Sequence, residues 1–141
     1  MRYLAVDLGD KRTGLAVGDD ELKIAQPITV LEIPIGDLLV NAIVNAIQEQ
    51  GVDALVMGLP LNMDGSLGQR VAITKTFAEK LQTATSLQLH FQDERLTSSA
   101  AEEILSGSGK THKQKKKILD ALAAAEILND FLWGLSQGTV P

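Results

Sequence analysis

The chain has 141 residues, of which 45% are hydrophobic, so it can build the core of one domain spanning 1–141. It contains no cysteine, which excludes disulfides, thiolate zinc sites and a cysteine nucleophile. The net charge is −5 and aromatics are only 4%, a balance that weighs against a broad basic face and against a platform of stacked rings for single strands.

Tyr3 to Leu8 is a short apolar run of strand formers, and Gly9-Asp10 turns it. Asp7 arrives too early for the apolar core of a signal peptide, and no apolar run approaches the ~20 residues that span a bilayer. A cytoplasmic protein with no membrane partner is expected. Thr13 to Val17 reads as a second strand, Gly18-Asp19-Asp20 as a turn, and Ile28 to Ile33, after Pro27, as a third strand. Three strands so close in sequence predict an antiparallel meander.

The period then changes. Leu38, Leu39, Ile43, Val44 and Ile47 recur at helical spacing up to Gln50, with Gly51 as the stop. Asp53 to Gly58 is a short buried strand, Pro60 to Gly68 a loop, and Gln69 to Gln82 a helix with Val71, Phe77, Ala78 and Leu81 inward. Leu87 to Phe91 is the next strand. Thr97 caps a helix through Leu105, Gly107-Ser-Gly109 breaks it, and a final helix runs from about Gln114 to Leu135. Strand–helix alternation implies parallel neighbours joined by right-handed crossovers. The expected fold is a mixed five-stranded α/β sheet flanked by helices.

Three carboxylates stand out. Strand alternation puts Tyr3, Ala5 and Asp7 on one face and Leu4 and Val6 on the other, so Asp7 ends a strand where an acid is costly unless paired, hydrogen-bonded or on metal. Asp93-Glu94-Arg95 follows a strand in the same way, at a rim where ligands collect. Asp120 sits in the last helix among small residues, Ala121 and Ala123 to Ala125, which allow close approach to the sheet. Each has a plainer reading: Asp7 as a turn cap, Glu94 paired with Arg95, Asp120 paired with Lys116 or Lys117 one turn earlier.

Together, hard oxygen donors without thiolates point to magnesium or manganese, and to a metal-dependent phosphoryl-transfer site. Lys11, Arg12 and Arg95 lie close in sequence and suit phosphate. Five of the nine lysines fall between Lys110 and Lys117, Lys113 and Lys116 among them, leaving 8 basic against 18 acidic residues elsewhere. This stretch is expected to order on nucleic acid, although a solvated helix start explains it equally well. Met57, Met63 and Trp133 read as packing residues, His90 as a packed or surface side chain of its strand, and His112 as part of a mobile lysine-rich loop.

Four blocks resemble one family: Asp7-Leu-Gly-Asp-Lys-Arg-Thr-Gly-Leu-Ala16, Gly58-Leu-Pro-Leu-Asn-Met-Asp-Gly65, Asp93-Glu-Arg-Leu-Thr-Ser98 and Asp120-Ala-Leu-Ala-Ala-Ala-Glu-Ile-Leu128. Their order and spacing are similar to those of the YqgF family, also called RuvX, over essentially the whole chain. Its bacterial members are described as Holliday junction resolvases and, more recently, as pre-16S rRNA nucleases. The resemblance implies a ribonuclease-H-like fold, a metal site of Asp7, Glu94 and Asp120 as catalytic residues, and Lys11, Arg12 and Arg95 on the nucleic-acid backbone. It also implies turn or close-packing roles for Gly9 and Gly14. In the Gly58–Gly65 loop, Asn62 and Asp64 either touch substrate or make turn hydrogen bonds.

Precursor ribosomal RNA is the expected substrate, because the acidic balance suits branched DNA less well. A junction resolvase would use the same site but needs a dimer to cut symmetrically, and the sequence leaves the oligomeric state open. A nucleic-acid-binding ribosome assembly factor without catalysis is the other reading. A two-domain phosphotransferase is not expected of one 141-residue domain, and a serine–histidine hydrolase is not expected without a nucleophile motif.

Overall fold

The computed structural model describes residues 1–60, 68–93 and 112–136, and of 112–118 the backbone alone. In chain order these form β1 (Arg2–Asp7), β2 (Thr13–Asp19), β3 (Ala25–Leu31), α1 (Asp37–Gln50), β4 (Ala54–Leu59), α2 (Gln69–Thr85), β5 (Gln88–Asp93) and α3 (His112–Ser136). The five strands make one mixed sheet in the order β3-β2-β1-β4-β5. β1–β2–β3 is the expected antiparallel meander, and β1, β4 and β5 run parallel. The helix expected over Thr97–Leu105 and its Gly107–Gly109 break lie outside the described residues, as does most of the Gly58–Gly65 loop.

Alternation along the strands splits the core into two layers. Leu4, Val6, Leu15, Val17, Leu55 and Met57 face α1 and α2 and pack on Leu39, Ile43, Phe77 and Leu81. Tyr3, Ala5, Ala16, Ala54 and Val56 face the other way, under Ala124, Ile127, Leu128, Phe131 and Leu132 of α3. Three of these five sheet residues are alanine, which lets α3 lie close to the strands. At Gly18 an added Cβ would already stand 3.2 Å from the Leu128 side chain and 2.6 Å from the Ile24 carbonyl oxygen.

Two expectations need correcting. The third strand begins at Ala25 and includes Pro27, which pairs with Ala16 beside a register shift. Proline is tolerated there because β3 is an edge strand, where a missing N–H leaves no ladder bond broken on the open side. Trp133 is not a packing residue: it is 65% exposed. The buried positions of α3, from Ala124 through Leu132, form one stripe, and Trp133 falls beside it on the solvent face. Met57 is fully buried as expected, and His90 packs its ring 5.0 Å from that of Phe131.

α1 stops where the sequence says it should. Gly51 takes φ 63°, a left-handed conformation that glycine adopts without a Cβ clash, and its N–H donates to the Ile47 carbonyl. α2 runs three residues past the expected Gln82 and ends at Ser86, which caps it in the same left-handed region.

Candidate nuclease site

Parallel pairing aligns the C-terminal ends of β1, β4 and β5 along one rim of the sheet, where the chain order switches. Asp7 is the last residue of β1, the central strand, and Asp93 the last of β5. This is the edge at which open α/β sheets gather ligands. Asp7 is half-buried and faces the α3 side, continuing the line of Tyr3 and Ala5.

Gly14 brings the backbone of Asp120 to the strand pair that ends in Asp7. It is the direct antiparallel partner of Asp7 across the β1–β2 ladder. A Cβ built on it would stand 2.0 Å from the Asp120 carbonyl oxygen and 2.6 Å from its carbon. Real Cβ atoms do not approach so closely, so only glycine lets the α3 backbone rest on β2 at this point. Since paired strand residues stand about 5 Å apart, the backbones of Asp7 on β1 and Asp120 on α3 are near neighbours.

Arg12 closes the arrangement. Its Nε lies 3.1 Å from Asp120 Oδ2, with the two side chains 23% and 30% exposed. Partial burial reduces screening, so the attraction is stronger than in a surface pair, although this contact falls outside hydrogen-bond geometry. The guanidinium keeps further N–H donors for a phosphate. Lys11 precedes it in the turn and is exposed.

The turn between Asp7 and Arg12 is held by contacts that the sequence reading missed. A Cβ on Gly9 would meet the Arg12 carbonyl oxygen at 2.2 Å, so the loop folds tightly back on itself. Arg70, at the start of α2, pairs through Nη1 with Asp10 and donates from Nη2 to the Leu8 carbonyl at 2.9 Å. No local signal marks Arg70, because its partner stands 60 positions away.

Of the acids and cations singled out from sequence, Arg12 pairs with Asp120, whose backbone rests on Gly14, the cross-strand partner of Asp7, and Lys11 precedes Arg12 in the turn. Glu94 and Arg95 lie outside the described residues. Lys113 and Lys116 fall in the first turns of α3, where only the backbone is described. Among the described residues no cluster of three histidine, aspartate or glutamate side chains converges. The described pair, Asp7 and Asp120, offers only carboxylate oxygens, a donor set that fits magnesium or manganese rather than zinc. Among the described residues no helix is long and apolar enough to cross a membrane.

Comparison with known proteins agrees with this fold. The solved structure of RuvC from Thermus thermophilus superposes with a TM-score of 0.56 at 15% identity, covering 99% of this chain and 98% of that one. The fowlpox virus Holliday junction resolvase gives 0.56 at 11%, covering 95% and 99%. At such identities the likeness concerns the fold, which is ribonuclease-H-like as expected. In sequence, proteins named "Putative pre-16S rRNA nuclease" are much nearer. That of Geobacillus kaustophilus is 40% identical over 94% of this chain and 97% of its own. That of Bacillus subtilis is 36% identical over 96% and 100%. The family described as "RuvX: Holliday junction resolvase" matches residues 1–133, and this chain belongs to it.

Proposed function

We propose that this protein is a metal-dependent nuclease that matures precursor 16S ribosomal RNA, with Asp7, Glu94 and Asp120 as its catalytic carboxylates. The observation that carries the reading is the seating of Asp120 on Gly14, opposite Asp7. The backbones of two acids from distant parts of the chain lie near each other at the rim where parallel strands end, with Arg12 paired to Asp120. A structural protein gains little from such a concentration of negative charge, whereas hydrolysis of a phosphodiester uses it.

Asp7, Asp120 and Glu94 would hold magnesium or manganese, which when bound supplies activation of water and neutralisation of the leaving oxygen. Arg12 fixes the Asp120 carboxylate and, with Lys11, meets the phosphate backbone entering over the turn. Arg95, Lys113 and Lys116 are further cations that would meet phosphate, so binding weakens with salt as counterions return to the RNA. Residues 1–141 act as one domain in the cytoplasm, where precursor ribosomal RNA is made.

Resolution of four-way junctions is the second reading, supported by the family's description and by the resolvase folds it resembles. It requires two such sites in a dimer. The deciding experiment compares cleavage of labelled single-stranded RNA, precursor 16S rRNA and four-way DNA junctions, with magnesium or manganese, by wild type and Asp7→Asn. Precursor RNA is expected to be cut preferentially and only with metal. The rate should drop at least about 100-fold in the variant, beyond what loss of a ligand's neighbour costs. Chelation should have the same effect. Preferred cleavage of junctions would select the resolvase. Binding of RNA by both proteins with no cleavage would select a non-catalytic assembly factor.

A further inference from the structure

We infer that Arg70 is a positioning residue of this site: it locks the Leu8–Arg12 turn and so sets the spacing of Asp7 from Asp120. The inference rests on the nuclease reading above. Arg70 takes two points of the turn at once, the Asp10 carboxylate and the carbonyl oxygen of Leu8, the residue after Asp7. A planar guanidinium with several fixed donors can do this, while a lysine ammonium acts as a single point charge.

The turn is thus held from both sides by arginine–acid pairs. From α2, Arg70 holds its first half, and through Arg12 its far end is tied to Asp120 on α3. Between them Gly9 packs against the Arg12 carbonyl, which leaves the loop little room to relax. Any slackening at Leu8 would move the adjacent Asp7 while Asp120 stayed seated on Gly14. The Arg70 side chain is only 32% exposed and both its terminal nitrogens already have partners within the protein, so it is committed to placement rather than to gripping phosphate.

The test uses Arg70→Gln, Asp10→Asn and the double variant in the full chain, read by amide exchange at Gly9–Arg12 and by steady-state cleavage. Because the Asp10 side chain is 76% exposed, its variant keeps the idea testable if Arg70→Gln folds poorly. Exchange in the turn is expected to quicken at least about tenfold in Arg70→Gln. Its kcat should fall about tenfold or more, with KM for RNA held within about twofold. The double variant should be no worse than Arg70→Gln alone, as for two members of one contact. A raised KM with unchanged kcat would make Arg70 a phosphate contact and overturn the inference, as would additive losses or unaltered exchange. If wild type cuts no substrate, the nuclease reading falls, and exchange at the turn still decides whether Arg70 holds it.

Discussion

The carbonyl oxygen of Asp120 occupies the space that a Cβ at Gly14 would need, 2.0 Å from its ideal position. The obstruction is backbone, so neither side chain can swing away to relieve it. Gly14→Ala is therefore expected to cost at least about 1–3 kcal/mol, the usual range for overpacking, and to displace Asp120. Gly36→Ala, where nothing stands within 4 Å, is the matched control and should change stability by less than about 1 kcal/mol. Urea unfolding of the two variants checks the contrast.

Thr13 is fully buried, and its Oγ1 finds no hydrogen-bond partner among the described residues. A buried hydroxyl without a partner costs stability that a methyl of similar shape does not. Thr13→Val should raise stability by about 1 kcal/mol. An unchanged or lowered urea midpoint would show that the hydroxyl is satisfied in solution.

Tyr3 is the single tyrosine, so its phenol can be titrated alone by phenolate absorbance. Burial, with smaller effects of Asp20 and Asp53, raises its pKa above the ordinary 10.0. The folded state then holds the proton where the unfolded chain has released it. The stability this contributes is whole below pH 10.0 and lost as pH rises through the folded value. Phenolate should form above pH 10.0 in the native protein, and Tyr3→Phe should lose less stability than wild type over the same alkaline range.

On α3 the two large aromatics should behave oppositely. Phe131 is 1% exposed and meets the Tyr3 ring at 5.3 Å, so Phe131→Ala should cost about 3–5 kcal/mol. Trp133→Ala should stay within about 0.5 kcal/mol, as expected for an exposed surface position. Fluorescence gives a second check: Trp133 is the only tryptophan, and its emission should resemble that of indole in water.

Where the sequence was legible, a local rule decided the matter. Alternation in Arg2–Asp7 assigned its two faces, helical spacing and Gly51 bounded α1, and the meander followed from its turns. Trp133 was misplaced because an apolar residue near a hydrophobic stripe reads as core, and only the sheet beneath decides which face is covered. Pro27 hid the start of β3, since an edge position is a property of the assembled sheet. Asp7 and Asp120 were both visible as acids, but their proximity depends on what Gly14 leaves open. Arg70 gave no signal because its role exists only once α2 has crossed back over the turn.

The rim that carries the site draws on β1 and on α3, elements from opposite ends of the chain. The meander can pair as soon as it leaves the ribosome, since its contacts are local. The parallel pairing of β1 with β4 must wait for α1, and the seating of Asp120 on Gly14 must wait for α3. A nascent chain therefore carries Asp7 and Arg12 without their partner acid. On the proposed assignment of Asp7 and Asp120 as catalytic acids, a nuclease emerging beside ribosomal RNA has no competent centre until α3 docks.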